Sequence, residues 1–137
     1  MKEVKYFFKE PGKPFEVLHH TKDFSIKEDL RQSCTEHIDH RYIGHNLYVY
    51  FDDLGVYQYL NKKLDYNVNL PDSPKYPNLL FGNIIVEKVN EAGESVDISM
   101  NDLNYILQEI FYKVDKDTVD EMVYYIINVI GGAKCIM

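Results

Sequence analysis

His45-Asn46-Leu47-Tyr48-Val49-Tyr50-Phe51-Asp52-Asp53-Leu54-Gly55-Val56-Tyr57-Gln58-Tyr59-Leu60-Asn61 is the stretch on which the fold turns. Two apolar-aromatic runs, residues 47–51 and 56–60, flank the Asp52-Asp53-Leu54-Gly55 step. Short strand-like runs around a Gly-containing turn read as a β-hairpin, with Gly55 supplying a positive φ. A four-residue loop pairs Phe51 with Val56. It places Leu47, Val49, Phe51, Val56 and Leu60 on one face with Gln58, and Tyr48, Tyr50, Tyr57 and Tyr59 on the other. A three-residue loop shifts the register by one and scatters the tyrosines over both faces.

Working outward, 137 residues make one domain with room for a substantial core. The aromatic set is 12 Tyr and 7 Phe without Trp. Such a set suits strands and half-buried surfaces, because tyrosine joins a large apolar ring to a polar tip. A net charge of −7 argues against direct nucleic-acid binding through a basic face. Cys34 and Cys135 form no CxxC, so neither a disulfide framework nor a zinc site is expected, and a reducing cytoplasm is the default. The first residues are too charged for a signal peptide, and no run is long enough to span a membrane. Cys135 is third from the end, so the chain carries no prenylation box.

Before the central stretch, residues 2–9 alternate weakly and read as a strand, Glu10-Pro11-Gly12-Lys13 as a turn, and residues 15–20 as a returning strand. Ser25 and Glu28 form a capping-box pattern for a short helix to about Thr35, burying Ile26, Leu30 and Cys34. Residues 37–45 read as a histidine-rich polar approach. Beyond the stretch, residues 62–78, rich in Asn and Pro, read as a loop, either a surface excursion or a functional segment. Residues 79–89 read as one central strand with a bulge at Gly82. A turn at Asn90-Glu91-Ala92-Gly93 leads to a return over 95–98. Ser99 to Asp102 caps a helix with the stripe Leu103, Ile106, Leu107, Ile110 and Phe111. Ile98 and Leu103 add a hydrophobic staple. Thr118 and Glu121 form a second capping box, opening a helix that turns Val119, Met122, Val123, Ile126, Ile127 and Ile130 inward, with Gly131-Gly132 as its stop. The expected fold is α+β: an antiparallel sheet of hairpins, one short helix in the N-terminal half and a C-terminal helical pair. Residues 1–98 form the sheet-rich part of a single domain and 99–137 a helical hairpin, which covers the sheet or joins subunits of a homo-oligomer.

Several short signatures resemble a family of small uncharacterised domains found in phages, plasmids and Firmicute genomes. They are Glu10-Pro11-Gly12-Lys13 with Glu16-Val17, Asp53-Leu54-Gly55, Leu80-Phe81-Gly82-Asn83-Ile84-Ile85-Val86, and Glu94-Ser95-Val96-Asp97-Ile98-Ser99 leading to Asp102. Together they span roughly residues 4–107. The chain departs from the pattern by lacking a Gly-Gly step near residues 37–44 and by adding the helix at 118–130. The resemblance implies no activity and no site residues. It implies a context, a mobile-element protein that interferes with a host system.

His37, Asp39, His40 and His45 have metal-ligand chemistry, but their spacing straddles a helix end and a glycine, so solvated loop histidines are the simpler reading. Asp52 and Asp53 are adjacent turn formers, not carboxylates facing one another across a cleft. Nucleophile-elbow, Walker and HExxH motifs are missing. The expectation is therefore a non-enzymatic protein with no cofactor. Its candidate site is the tyrosine platform of Tyr48, Tyr50, Tyr57 and Tyr59 beside Arg41, Lys62 and Lys63, which can stack a base and neutralise a phosphate. On that reading the protein sequesters a small nucleotide-type signal of host antiviral defence. The alternative docks an acidic tyrosine face, with Asp52, Asp53, Asp65 and Asp72, on a basic host nuclease or DNA-binding protein.

Overall fold

The computed structural model describes residues 3–21, 26–32, 37–71 and 78–130. Within them the α+β expectation holds, as eight strands in two antiparallel sheets with two helices near the C-terminus. β1 (Val4–Lys9) and β2 (Glu16–His20) form the first hairpin. Its turn is closed by the Lys13 amide donating to the Glu10 carbonyl at 3.1 Å, with Gly12 at φ +76°. α1 (Ile26–Asp29) is a single turn. Leu30 follows it and is fully buried, while the expected cap Ser25 and the expected core residue Cys34 lie outside the described residues.

The decisive hairpin lies on the other side of its strand. β4 (Leu47–Asp52) pairs backward with β3 (Ile38–Tyr42), inside the segment expected to be a polar approach. The turn between them places His45 and Asn46 at φ +54° and +64°, and the Leu47 amide donates to the Gly44 carbonyl at 2.9 Å. Two successive left-handed residues match the right-handed twist of the flanking strands, and His and Asn enter that region more readily than most residues.

After β4 the chain does not return as a strand. Residues 55–60 are α2 (Gly55–Leu60). Asp52 Oδ1 accepts the Leu54 amide at 2.7 Å and starts the first turn, and the Gln58 amide donates to the Leu54 carbonyl at 3.1 Å. Gly55 is not at positive φ. Its role is close approach, since a Cβ there would meet Phe81 at 3.0 Å.

The residues expected to be loop contain β5 (Tyr66–Leu70), paired with β6 (Asn78–Phe81) in a separate two-stranded sheet. Nor is the apolar run 79–89 one strand. At Gly82, φ +75°, the chain leaves the small sheet and enters the large one as β7 (Ile84–Val89). The large sheet runs β2-β1-β7-β4-β3, with β8 (Ser95–Val96) also paired to β7. The central position expected for the run 79–89 belongs to its second half, where Ile84, Ile85, Val86 and Glu87 are all buried.

α3 (Met100–Tyr105) opens on Ser99 with a complete capping box, Ser99 and Asp102 exchanging bonds to each other's amides. It widens into a π-helical turn (Ile106–Ile110), closed by the Phe111 amide on the Ile106 carbonyl at 2.9 Å. That turn leaves Leu107, an expected core residue, 55% exposed while Ile106 is fully buried. α4 (Lys116–Tyr125) continues as a second π-helical turn (Ile126–Ile130). Its cap is Asp115, three residues ahead of the expected Thr118: Asp115 Oδ1 accepts the Thr118 amide at 2.7 Å. Gly131 and Gly132 lie outside the described residues.

Three clusters hold the molecule. Phe7, Val49 and Val86 on the inner sheet face pack with Leu70, Ile106 and Phe111. Tyr6, Phe8 and Ile85 on the outer face pack with Leu30. Val119, Val123 and Ile127 of α4 pack with Phe81 and Leu64. The apolar stripes of the two C-terminal helices are thus taken up in different clusters of the same chain. Between the sheets sits Asn67, fully buried, whose Nδ2 donates to the carbonyls of Lys9 and Gly82 at 3.1 and 2.8 Å. Its Oδ1 accepts from the buried Lys9 ammonium at 2.5 Å.

Candidate functional site

The four expected tyrosines do not form one platform. Tyr48 and Tyr50 lie on the outer face of β4, whereas Tyr57 and Tyr59 lie on α2. Arg41 pairs across from Val49, so it belongs to the opposite face from Tyr48 and Tyr50, with its guanidinium over the Phe51 ring at 5.8 Å. Lys62 and Lys63 follow Asn61, the C-cap of α2. The Lys62 amide donates to the Tyr59 carbonyl and the Lys63 amide to the Gln58 carbonyl, with Lys62 at φ +60°. This is a Schellman ending in which lysine occupies the position usually given to glycine. The expected site is therefore divided in two.

The first part is an aromatic ladder across β3 and β4. Tyr42 opposes Tyr48 with ring centroids 5.2 Å apart, and His40 opposes Tyr50 at 5.6 Å. His40 and Tyr42 were hidden in the sequence because Asp39 and Arg41 between them disguise the alternation of an edge strand. Beside the ladder, on β7 and opposite Tyr48, lies Glu87, 6% exposed. It accepts the Tyr50 hydroxyl at 3.1 Å and the Ser95 hydroxyl at 3.0 Å, and His20 Nε2 stands 3.7 Å from its Oε2. Burial, then the Glu87 carboxylate, push the Tyr50 phenol well above its ordinary range. Tyr50 is half-buried and anchored, so it serves the fold more than an open surface.

The second part is a cleft of about 350 Å³ between the end of α2 and the start of α4, lined by Tyr59, Leu60, Lys62, Leu64, Asp65, Lys116 and Asp120. A neighbouring cavity of about 270 Å³ shares Tyr59, Asp65 and Lys116 and adds Tyr66, Lys113, Val114 and Val119. Packing places these side chains. Val56 and Tyr59, three apart on α2, lie against the Phe81 cluster. Val119, Val123 and Ile127, four apart on α4, close the same cluster from the other side and leave Lys116 and Asp120 at the rim.

Inside the cleft the Tyr59 hydroxyl donates to Asp120 Oδ1 at 2.5 Å, and Lys116 bridges Asp120 Oδ2 at 3.1 Å. Burial and that hydrogen bond push the Tyr59 phenol up to about 12. The same hydroxyl, then Lys116, hold the Asp120 carboxyl below its usual range. A neutral phenol, a carboxylate and an ammonium are thus fixed in one network. Two expected residues, Tyr59 and Lys62, contribute here, and Lys63 is exposed in the adjoining cap. Lys113 and Lys116 escaped the sequence reading because they sit at the join of the C-terminal helices, with no local pattern tying them to α2. Behind Lys113, the buried Lys9 ammonium is pushed down to about 8, first by burial and then by the charge of Lys113.

The histidines are dispersed. His40 faces outward on β3, and His45 stacks on Tyr105 at 3.8 Å in the β3–β4 turn. Among the described residues no three His, Cys, Asp or Glu side chains come together as a metal site, and no helix is long and apolar enough to cross a membrane. No protein-family model, no curated protein and no solved structure matches the chain.

Proposed function

We propose that the chain is a non-enzymatic binding protein that takes a small nucleotide-type anion into the α2–α4 cleft. In the mobile-element context implied by the resemblance above, it would serve by sequestering a signalling nucleotide of host defence. The observation that carries this reading is the set of three lysines, Lys62, Lys113 and Lys116, around the Tyr59 ring in a chain of net charge −7. An aromatic ring offers stacking to a base, and ammonium groups offer charge-assisted bonds to phosphate. Asp65 and Asp120 complete the lining as acceptors for sugar hydroxyls or base amines.

The test is calorimetric titration with cyclic dinucleotides and ADP-ribose derivatives, followed by heating and analysis of what is released. Intact ligand is expected. Tyr59→Ala should weaken binding by roughly five- to a hundredfold, the range that ~1–3 kcal/mol of stacking gives. Lys116→Ala should weaken it by about tenfold or more. A cleaved product would make the protein an enzyme, and no binding by any member of the panel would remove the reading. A second reading, docking on a basic host protein, is favoured by the exposed Tyr42 of the ladder, 55% accessible. It predicts capture of a host protein that is lost at high salt and by Tyr42→Ala.

A further inference from the structure

β3 is the outermost strand of the large sheet among the described residues, and four of its five residues, Asp39 to Tyr42, are exposed. The hydrogen bonds on its inner side fix which backbone groups face outward. The Asp53 amide donates to the His37 carbonyl, and the Ile43 amide to the Leu47 carbonyl. In an antiparallel ladder the bonded residues alternate, so 37, 39, 41 and 43 turn their amides and carbonyls toward β4, and Ile38, His40 and Tyr42 turn theirs to the outer edge, where no strand pairs among the described residues. One contact agrees with this: the outward His40 amide is taken by Asp39 Oδ1 at 2.8 Å, where a strand neighbour would otherwise supply the acceptor.

Only certain registers let two such edges meet, because outward residues must face outward residues. Centred on His40, the pairing sets His40 against His40, Ile38 against Tyr42, and Asp39 against Arg41 at both ends. Shifting the centre one residue back sets Asp39 against its own copy, and one residue forward sets Arg41 against its own copy. Like charges directly opposite are unfavourable and unlike charges favourable. The side chains of a non-hydrogen-bonded pair, which is where Asp39 and Arg41 fall, are also the closest. The strand is therefore complementary to itself in one register and repelled in the two beside it.

We propose that β3 is a self-association edge, joining two copies about a two-fold axis through His40 into one continuous sheet. Each facing pair of outward residues exchanges two main-chain hydrogen bonds, and Asp39 passes from the His40 amide to the partner copy's arginine. The outer faces of both sheets lie on the same side of the dimer, so the two aromatic ladders become one. This is independent of ligand binding in the α2–α4 cleft. A single short strand pair buries little area, so the association belongs to the weak end of protein interfaces.

Sedimentation velocity over about 5–500 µM, a range set by the weak association expected of so small an interface, tests it. The wild-type chain should pass from monomer to dimer. Asp39→Arg and Arg41→Asp should each weaken self-association by about tenfold or more, since like charges then oppose at both ends. Mixing the two variants sets a doubly basic strand against a doubly acidic one and should restore the dimer, which a misfolded variant could not do. The combined exchange of both residues should also restore it. A wild-type chain that stays monomeric throughout, or charge variants that self-associate as the wild type does, would overturn the proposal.

Discussion

Tyr48-Val49-Tyr50 and Tyr57-Gln58-Tyr59 are nearly the same word written twice within twelve residues, and the molecule uses them in opposite ways. The first lies in a strand, Tyr50 locked onto Glu87 and Tyr48 flanked by Tyr42. The second lies in a helix, with Tyr59 held on Phe81 at 4.9 Å and its hydroxyl turned to Asp120. What differs is the company each keeps. Leu47, Val49 and Phe51 supply a buried row at spacing two, and β7 and β3 wait on either side. Gly55, Val56 and Tyr59 supply a row at spacing three to four, and Phe81 waits beneath. Alternating tyrosines do not by themselves choose a secondary structure; the surface that receives the opposite face does.

The strongest way to break this comparison is Tyr50→Ala. It empties a half-buried ring site in the outer-face cluster and removes a donor from the buried Glu87, and should cost ~3–4 kcal/mol in urea unfolding. A cost below ~1 kcal/mol would mean that Tyr50 belongs to an open platform after all. Gly55→Ala probes the helical word. Its new methyl meets Phe81, 1% exposed and unable to yield, so overpacking should outweigh the gain in helix propensity and leave a net loss of ~1–2 kcal/mol.

A smaller effect separates the hydroxyls in alkali. The folded-state values of Tyr50 and Tyr59 are both raised above the ordinary phenol value, so each group contributes stability that is complete below pH ~10 and is lost as the pH rises. The loss due to Tyr59 should be largely spent by about pH 12, while that due to Tyr50 continues beyond it. Absorbance titration of Tyr59→Phe and Tyr50→Phe, compared with wild type, assigns the two steps. The smallest change is Lys62→Gly. It relieves a left-handed lysine and should stabilise the fold by up to ~1 kcal/mol while weakening the nucleotide binding proposed for the cleft. Stabilisation with affinity unchanged would take Lys62 out of the site.

The first hairpin was legible from the Glu10-Pro11-Gly12-Lys13 turn between two short runs, β4 from the alternation of Leu47, Val49 and Phe51, and the third helix from the cap spelled by Ser99 and Asp102. β3 was not legible, because four of its five residues are exposed and Asp39, His40 and Arg41 stand where an inner strand carries apolar side chains. β5 was hidden by Asn67 and Asn69, which read as loop formers but are fully buried, Asn67 on main-chain carbonyls and Asn69 against Tyr66 and Tyr112. Of the candidate site, Tyr59 and Lys62 do line one cleft, but from a helix and its end and not from the expected sheet face. The lysines that complete the cleft arrive from α4 and its approach, a long-range meeting that no local spacing announces.

Asn67 also bears on cooperativity. The two sheets share no ladder, and a chain built this way invites its smaller part to detach while the larger stays folded. Detachment would strip the Lys9 carbonyl of its buried donor and leave the Lys9 ammonium without its acceptor. Unpaired buried polar groups make that partly opened state costly. One amide side chain therefore favours a single unfolding step over two, and keeps the walls of the cleft from loosening before the sheet that supports them.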